Sequence, residues 1–163
     1  MVKVFVILNN VSSPQRLMDT AKVVFNVKEG IKPAGFVVCR ASGMAAQTGV
    51  PEVARLAYKL GESFLILPSL NDAIEVINPT KVLLLVNEGG KELEKVIEEL
   101  SKDDVVALVV SGSDNGFSRN ELGLGQLVSI SYFRALPPAP AVATALYIIA
   151  SKLRSTSVAT SKT

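Results

Sequence analysis

The residues best able to do chemistry run Val109-Val110-Ser111-Gly112-Ser113-Asp114-Asn115-Gly116-Phe117-Ser118. They are followed by Gln126-Leu-Val-Ser-Ile-Ser131 and by Leu136-Pro-Pro-Ala-Pro-Ala, which opens an apolar helix from Pro140 to about Leu153. A hydrophobic strand that enters a Gly-Ser-Asp-Asn-Gly loop, then a second strand, then a buried helix start, sets bare backbone amides and carbonyls side by side. That arrangement can cradle a ligand through the main chain. Gly112 and Gly116 permit positive φ and close approach of a ligand, Ile130, Tyr132 and Leu136 offer apolar walls, and Asp114 can hydrogen-bond the ligand or orient the loop. The competing reading is a plain surface turn, because this composition is common in loops.

Composition narrows the chemistry. The 163 residues contain no histidine and one cysteine. Imidazole bases and ligands, internal disulfides and thiolate zinc sites are thereby excluded. Cys39 ends a hydrophobic run and reads as a buried structural thiol in a reducing setting. A net charge of +2 permits a nucleic-acid partner without demanding one. There is no G-x-x-x-x-G-K-[ST], and Gly123-Leu-Gly125 lacks the third glycine and following helix of a dinucleotide turn. No acid has a lysine two positions on, which weighs against one common metal-nuclease pattern. The apolar start, Met1 to Leu8, is too short to span a bilayer and lacks the marks of a signal peptide, so a soluble cytoplasmic protein is expected.

Short apolar runs at Val2–Leu8, Phe36–Cys39, Phe64–Leu67, Lys81–Val86, Val105–Val110 and Leu127–Ser131 alternate with helical patterns at Gln15–Val27, Pro51–Leu60, Asn71–Ile77, Glu92–Leu100 and after Pro140. The alternation predicts an α/β fold: a mostly parallel sheet of about six strands with helices on both faces. Ser13-Pro14, Pro51 and Pro140 mark helix starts, and Gly61 a helix end. Lys91 to Glu99 is expected to place alternating charges on a solvent-facing helix. Residues 1–154 are read as one domain and the Ser/Thr-rich stretch 155–163 as a disordered tail. The last helix is apolar around most of its circumference, which predicts packing on its own sheet and on a second subunit; a fully buried helix in a monomer is the alternative.

In its order of parts, strand, Gly-Ser-acid-x-Gly-Φ-Ser loop, strand ending Ile-x-Φ, then Leu and a small-residue helix, the chain resembles the SpoU-like branch of the SPOUT RNA methyltransferases. Gly112, Asp114, Gly116 and Ser118 match the first motif approximately, and Ile130-Ser131-Tyr132 with Leu136 the second. Val6-Ile-Leu-Asn9-Asn10-Val-Ser-Ser-Pro14 and Asp19-Thr20-Ala21 resemble the family's opening strand, turn and "Arg-Thr-Ala" helix, about three residues short. Departures stand beside the matches. The motif arginine aligns with Asp19 and the turn asparagine with about Arg16, Asp114 replaces a usual Glu, and Pro137 stands where the family has Asn.

The resemblance implies a C-terminal trefoil knot, S-adenosylmethionine as cofactor, rRNA or tRNA as partner with methylation of a ribose 2′-hydroxyl, and a homodimer formed through the C-terminal helix. It implies a cofactor set of Val86, Gly112, Ser113, Asp114, Gly116, Ile130, Tyr132 and Leu136, with Arg16, Asn10 and Asp114 as catalytic candidates and no metal. A sulfonium methyl is already activated, so such a protein mainly orients donor and acceptor. Arg16, Arg40, Arg119 and Arg134, with Lys152 and Arg154, suit phosphate or ribose positioning, although each reads first as an ordinary solvated surface charge. Two alternatives are a non-catalytic dimeric module that binds a nucleotide-like ligand or RNA, and an unknotted flavodoxin-like domain.

Overall fold

The computed structural model describes residues 1–161, with side chains described through residue 158. Seven strands form one parallel sheet in the order β3-β2-β1-β6-β4-β7-β5: β1 (Lys3–Val11), β2 (Gly35–Ala41), β3 (Phe64–Leu67), β4 (Lys81–Leu85), β5 (Lys91–Glu92), β6 (Val105–Ser111) and β7 (Gln126–Ser129). The six expected strands are all present. β5 is additional: two residues at the head of the charged run pair with Val128 and Ser129 of β7, so the helix there is only α4 (Leu93–Glu98). Gly90 lies against the Val128 backbone and its carbonyl accepts from the Ser129 hydroxyl, which holds this segment extended. Three apolar residues, Leu93, Val96 and Ile97, are all that α4 buries.

Alternation along the central strands sorts side chains onto two faces. Val4, Val6 and Leu8 of β1, with Val106, Leu108 and Val110 of β6, meet α1 (Pro14–Phe25), α2 (Val50–Leu60), α4 and α6 (Pro138–Ser161) in the larger core. Ile7, Val37, Cys39, Leu84, Ala107 and Val109 face the opposite way against α3 (Leu70–Ile77). Burial on both faces is why β1 and β6 read as unbroken apolar runs. Burial, together with the charges of Asp72 and Glu121, pushes the Cys39 thiol up to about 12, as befits a structural cysteine.

Local chemistry sets the helix ends. The Ser13 hydroxyl accepts from the Arg16 amide ahead of Pro14 at the first helical position, and Gly61 closes α2 in the left-handed region at φ 70°. Two boundaries differ from expectation. A π turn at Ala45–Gly49 feeds directly into α2, so Pro51 falls inside a continuous helical path, in a first turn that needs no amide from it. At the other end, residues 155–161, expected to be disordered, continue α6. The hydroxyls of Ser155, Thr156 and Ser157 turn back onto the carbonyls of Ser151, Lys152 and Arg154, and no Gly or Pro breaks the run. Residues 162 and 163 of that expected tail lie outside the described residues.

Phe36 joins the layers: its ring meets Phe25 edge-on at 5.8 Å and stacks on Phe64 at 5.8 Å. Phe36→Ala is expected to lower unfolding free energy by about 3–5 kcal/mol in urea denaturation. A loss below about 1 kcal/mol would show that the row collapses onto the gap.

Candidate functional site

Reversal of strand order at the centre of an open parallel sheet leaves a crevice beyond the strand C-termini. Here β1, β2 and β3 run outward to one side and the later strands to the other. A cavity of about 400 Å³ lies at that edge. Its floor is Leu85 ending β4 with Val86 and Asn87 after it, Val110 and Ser111 ending β6, and Ile130 following β7. One wall is the Ser113–Phe117 loop. The other is Phe133 to Pro138 together with Ala141 at the start of α6. The two segments whose proximity the backbone-cradle reading requires therefore face each other across one cavity.

Of the residues named from sequence, Arg16, Val86, Ser113, Asp114, Gly116, Ile130 and Leu136 all line it. Gly116 has φ 70°, which closes the loop in the left-handed region. Gly112 plays a different part from the one expected. Its φ is not positive, and an added Cβ would fall 2.8 Å from both the Asn10 carbonyl oxygen and Val11 Cβ, so glycine is needed there for packing on β1 rather than for approach of a ligand. Tyr132 is 83% exposed and does not line the cavity. The Phe133 amide donates to the Ile130 carbonyl at 3.2 Å, and this tight turn sends Tyr132 outward and Phe133 inward. Asn10 is not in the lining either: its backbone is left-handed at φ 64°, and its carbonyl packs beside Gly112.

Arg16 reaches the loop from α1. Its Nη1 donates to the Gly112 carbonyl at 3.1 Å and its Nη2 to Asp114 Oδ1 at 2.8 Å. Asp19, the position that aligns with the motif arginine, instead receives the Gln15 side-chain amide on the exposed face of α1. Of the two, Arg16 is the one that reaches the cavity.

A second polar cluster holds the same loop from the other face of the sheet. Glu121, in the short α5 turn (Arg119–Leu122), accepts from Asn9 Nδ2 at 2.6 Å and from Arg40 Nη1 at 3.0 Å, both at Oε2. Its other oxygen accepts from the Ser118 amide at 2.9 Å, completing a capping box with the Ser118 hydroxyl. Burial alone raises the Glu121 pKa. The bonds from the Ser118 amide, Asn9 and the Ser118 hydroxyl, with the Arg40 charge, more than offset that and leave it below the ordinary glutamate range. Asn9 is fully buried, and its Oδ1 has no partner among the described residues. Sequence reading missed Glu121, although Ser118-x-x-Glu121 is a legible capping-box signature. It gave no role to Asn87, Phe117 or Phe133, which also line the cavity. Among the described residues, no group of three or more His, Cys, Asp or Glu side chains is placed to hold a metal ion, and no helix is long and apolar enough to cross a membrane.

A parallel sheet with its strand order reversed at the centre and a cavity at its C-terminal edge defines a class of fold, and solved structures share that fold. A probable methyltransferase of Bordetella pertussis superposes with a TM-score of 0.71 at 17% identity, over 93% of this chain and 95% of its own. A protein solved in work on 2-OH methylation of C/U34 on tRNA gives 0.71 at 17%, over 94% and 97%. The SpoU methyltransferase of Streptomyces viridochromogenes, solved with AdoMet, gives 0.67 at 15%, over 94% and 58%. The fold is therefore that of the SpoU methyltransferases. By sequence, residues 43–148 match the family described as RecB-family nuclease (DUF2122), and the chain belongs to that family. A relative in Methanocaldococcus jannaschii, provisionally called a type II restriction enzyme, is 34% identical over 130 residues, 78% of this chain and 85% of its own. A second in Aeropyrum pernix, provisionally given the same class, is 44% identical over 99 residues, 56% and 61%.

Two outcomes follow from the site. Gly112→Ala is expected to destabilise the protein by about 1–3 kcal/mol through overpacking, read by urea denaturation; no loss would mean that β1 and the loop part freely. Because the Glu121 pKa is depressed on folding, its contribution is present above the unfolded value, about 4.3, and is lost as pH falls through the lower folded value. The stability gap between wild type and Glu121→Gln should therefore be full at pH 7 and close on acidification below about 4. A gap independent of pH would contradict this role.

Proposed function

We propose that this chain binds S-adenosylmethionine in the cavity between the Ser111–Ser118 loop and the 130–138 segment, and transfers its methyl group to RNA, at a ribose 2′-hydroxyl of rRNA or tRNA. The carrying observation is that both motif segments line one cavity of about 400 Å³, of a size and apolar character that fit an adenosyl group. The SpoU proteins that share the fold support the same cofactor, one of them having been solved with AdoMet. In this reading the two segments thread through one another as a knot. The cofactor supplies a methyl group on a sulfonium, which needs no further activation.

The chain's own residues do the rest. Val86, Phe117, Ile130 and Leu136 exclude water, and the Gly116 turn lets the loop backbone lie close to the ligand. Arg16, clamped between the Gly112 carbonyl and Asp114, carries a positive charge to the mouth and positions the acceptor ribose or its phosphate. Asp114, 86% exposed, uses one oxygen on Arg16 and keeps the other for the proton that the attacking hydroxyl releases as its oxygen takes the methyl from sulfur. Two copies pair along α6 and α1, where Tyr147 stands 76% exposed beside Val23, Val27 and Leu146.

The family description and its relatives' names favour a second reading, phosphodiester hydrolysis. Metal-assisted cleavage of that kind relies on convergent carboxylates, whereas the acid at this cavity, Asp114, is paired with an arginine. One set of assays separates the readings: calorimetry with S-adenosylmethionine and its demethylated product, transfer of labelled methyl to total RNA, and incubation of duplex DNA with Mg²⁺. Binding and transfer are expected, without DNA cleavage. Arg16→Ala should lower transfer on the order of 100-fold while changing cofactor affinity far less. Failure of both ligands to bind at millimolar concentration, or Mg²⁺-dependent DNA cleavage, overturns the proposal.

A further inference from the structure

Arg40 and its partners lie just outside the cavity and have no part in the chemistry above. β1 pairs Asn9 with Cys39 on one side and with Ser111 on the other, so Arg40, Asn10 and Gly112 follow in step along one sheet edge. Adjacent strands are about 4.8 Å apart, which sets the Arg40 and Gly112 backbones roughly 10 Å apart on either side of Asn10. Arg16 grips the ligand loop from one face of the sheet, while Glu121, at the loop's far end, is bound by Arg40 and Asn9 from the other. The loop is thus flanked by two arginines.

Three features separate Arg40 from an ordinary surface arginine. Its backbone is left-handed at φ 54°, a conformation that a non-glycine residue keeps only where its surroundings impose it. Its guanidinium makes one hydrogen bond, through Nη1, to a carboxylate that is itself immobilised by the capping box and by Asn9. The side chain stays 41% exposed, and no bond to its other nitrogens is formed among the described residues.

We propose that Arg40, aimed by Glu121 and Asn9, is a second phosphate subsite, which takes a backbone phosphodiester of the RNA strand next to the nucleotide whose ribose enters the cavity. This rests on the reading of the cavity as an RNA methylation site. A planar guanidinium with its free edge toward solvent suits two phosphate oxygens, and fixing it in advance lowers the ordering cost of binding. Glu121 does not cancel the site, because it engages one nitrogen and leaves the others to the ligand.

The test is fluorescence anisotropy with a labelled single-stranded RNA 20-mer at several salt concentrations. It uses the full chain as wild type, as Arg40→Ala, and as Arg40→Ala with Glu121→Gln, so that no uncompensated carboxylate is left behind. Loss of one phosphate contact should weaken binding about fivefold to tenfold and make the slope of log affinity against log salt shallower by about 0.7. Arg40→Ala alone, which leaves the Glu121 capping box in place, should keep the wild-type affinity for S-adenosylmethionine in calorimetry. Arg40→Lys, which keeps the charge but not the fork, should fall between. RNA affinity and salt slope unchanged in a folded double variant would overturn the subsite. Loss of S-adenosylmethionine binding in Arg40→Ala would also overturn it, since Arg40 would then be shaping the cavity. Failure of the wild type itself to bind S-adenosylmethionine, with RNA binding still dependent on Arg40, would remove the methylation reading and leave the phosphate contact standing.

Discussion

The parallel register of β1 against β6 is the constraint on which the site depends. It sets Asn9 beside Ser111, so that the end of β1 and the start of the 112–118 loop meet at Gly112, where only a glycine fits. From that junction the loop leaves over the sheet edge, held by Arg16 on one face and by Glu121 on the other. A slip of one residue would turn Asn9 toward the larger core and Leu8 toward Glu121, placing a charge against an aliphatic side chain. Apolar packing on both faces fixes the register, and the register aims the polar groups.

Fold and family name point in different directions for this chain. Its backbone is that of the SpoU methyltransferases, at identities low enough that only the fold is shared. Its sequence family carries a nuclease description. Carboxylates are what a metal nuclease needs to bring together, and this sheet edge brings together arginine with aspartate, and arginine with glutamate and asparagine. Such pairs neutralise one another, and among the described residues no group of three carboxylates converges here.

Much of the fold was legible because its strands are buried on both sides: continuous β-branched runs can be read without knowing their partners. The two-residue β5 was not, since its extended form depends on Ser129 and on Gly90 seated against Val128, both contacts with a distant strand. Seven of the residues named for the site line the cavity, since spacing along a loop survives folding. Tyr132, Asn10 and Gly112 took other roles because one tight turn and one crowded strand end decide which way each points, and neither is written in residue type. Glu121 was accessible through its capping box, yet its links to Asn9 and Arg40 span 112 and 81 residues and depend on topology. The continuation of α6 past Ser155 shows hydroxyl residues satisfying themselves on a helix already nucleated by its buried N-terminal half.

Titration of the isotopically labelled protein with S-adenosylhomocysteine, followed amide by amide in heteronuclear NMR spectra, tests most directly whether the two segments form one ligand cradle. The account predicts that resonances of Ser111–Ser118 and of 130–136 shift together along a single saturation curve, with Val86 among them. Shifts confined to the groove between α1 and α6, or no shifts at millimolar ligand, would contradict it.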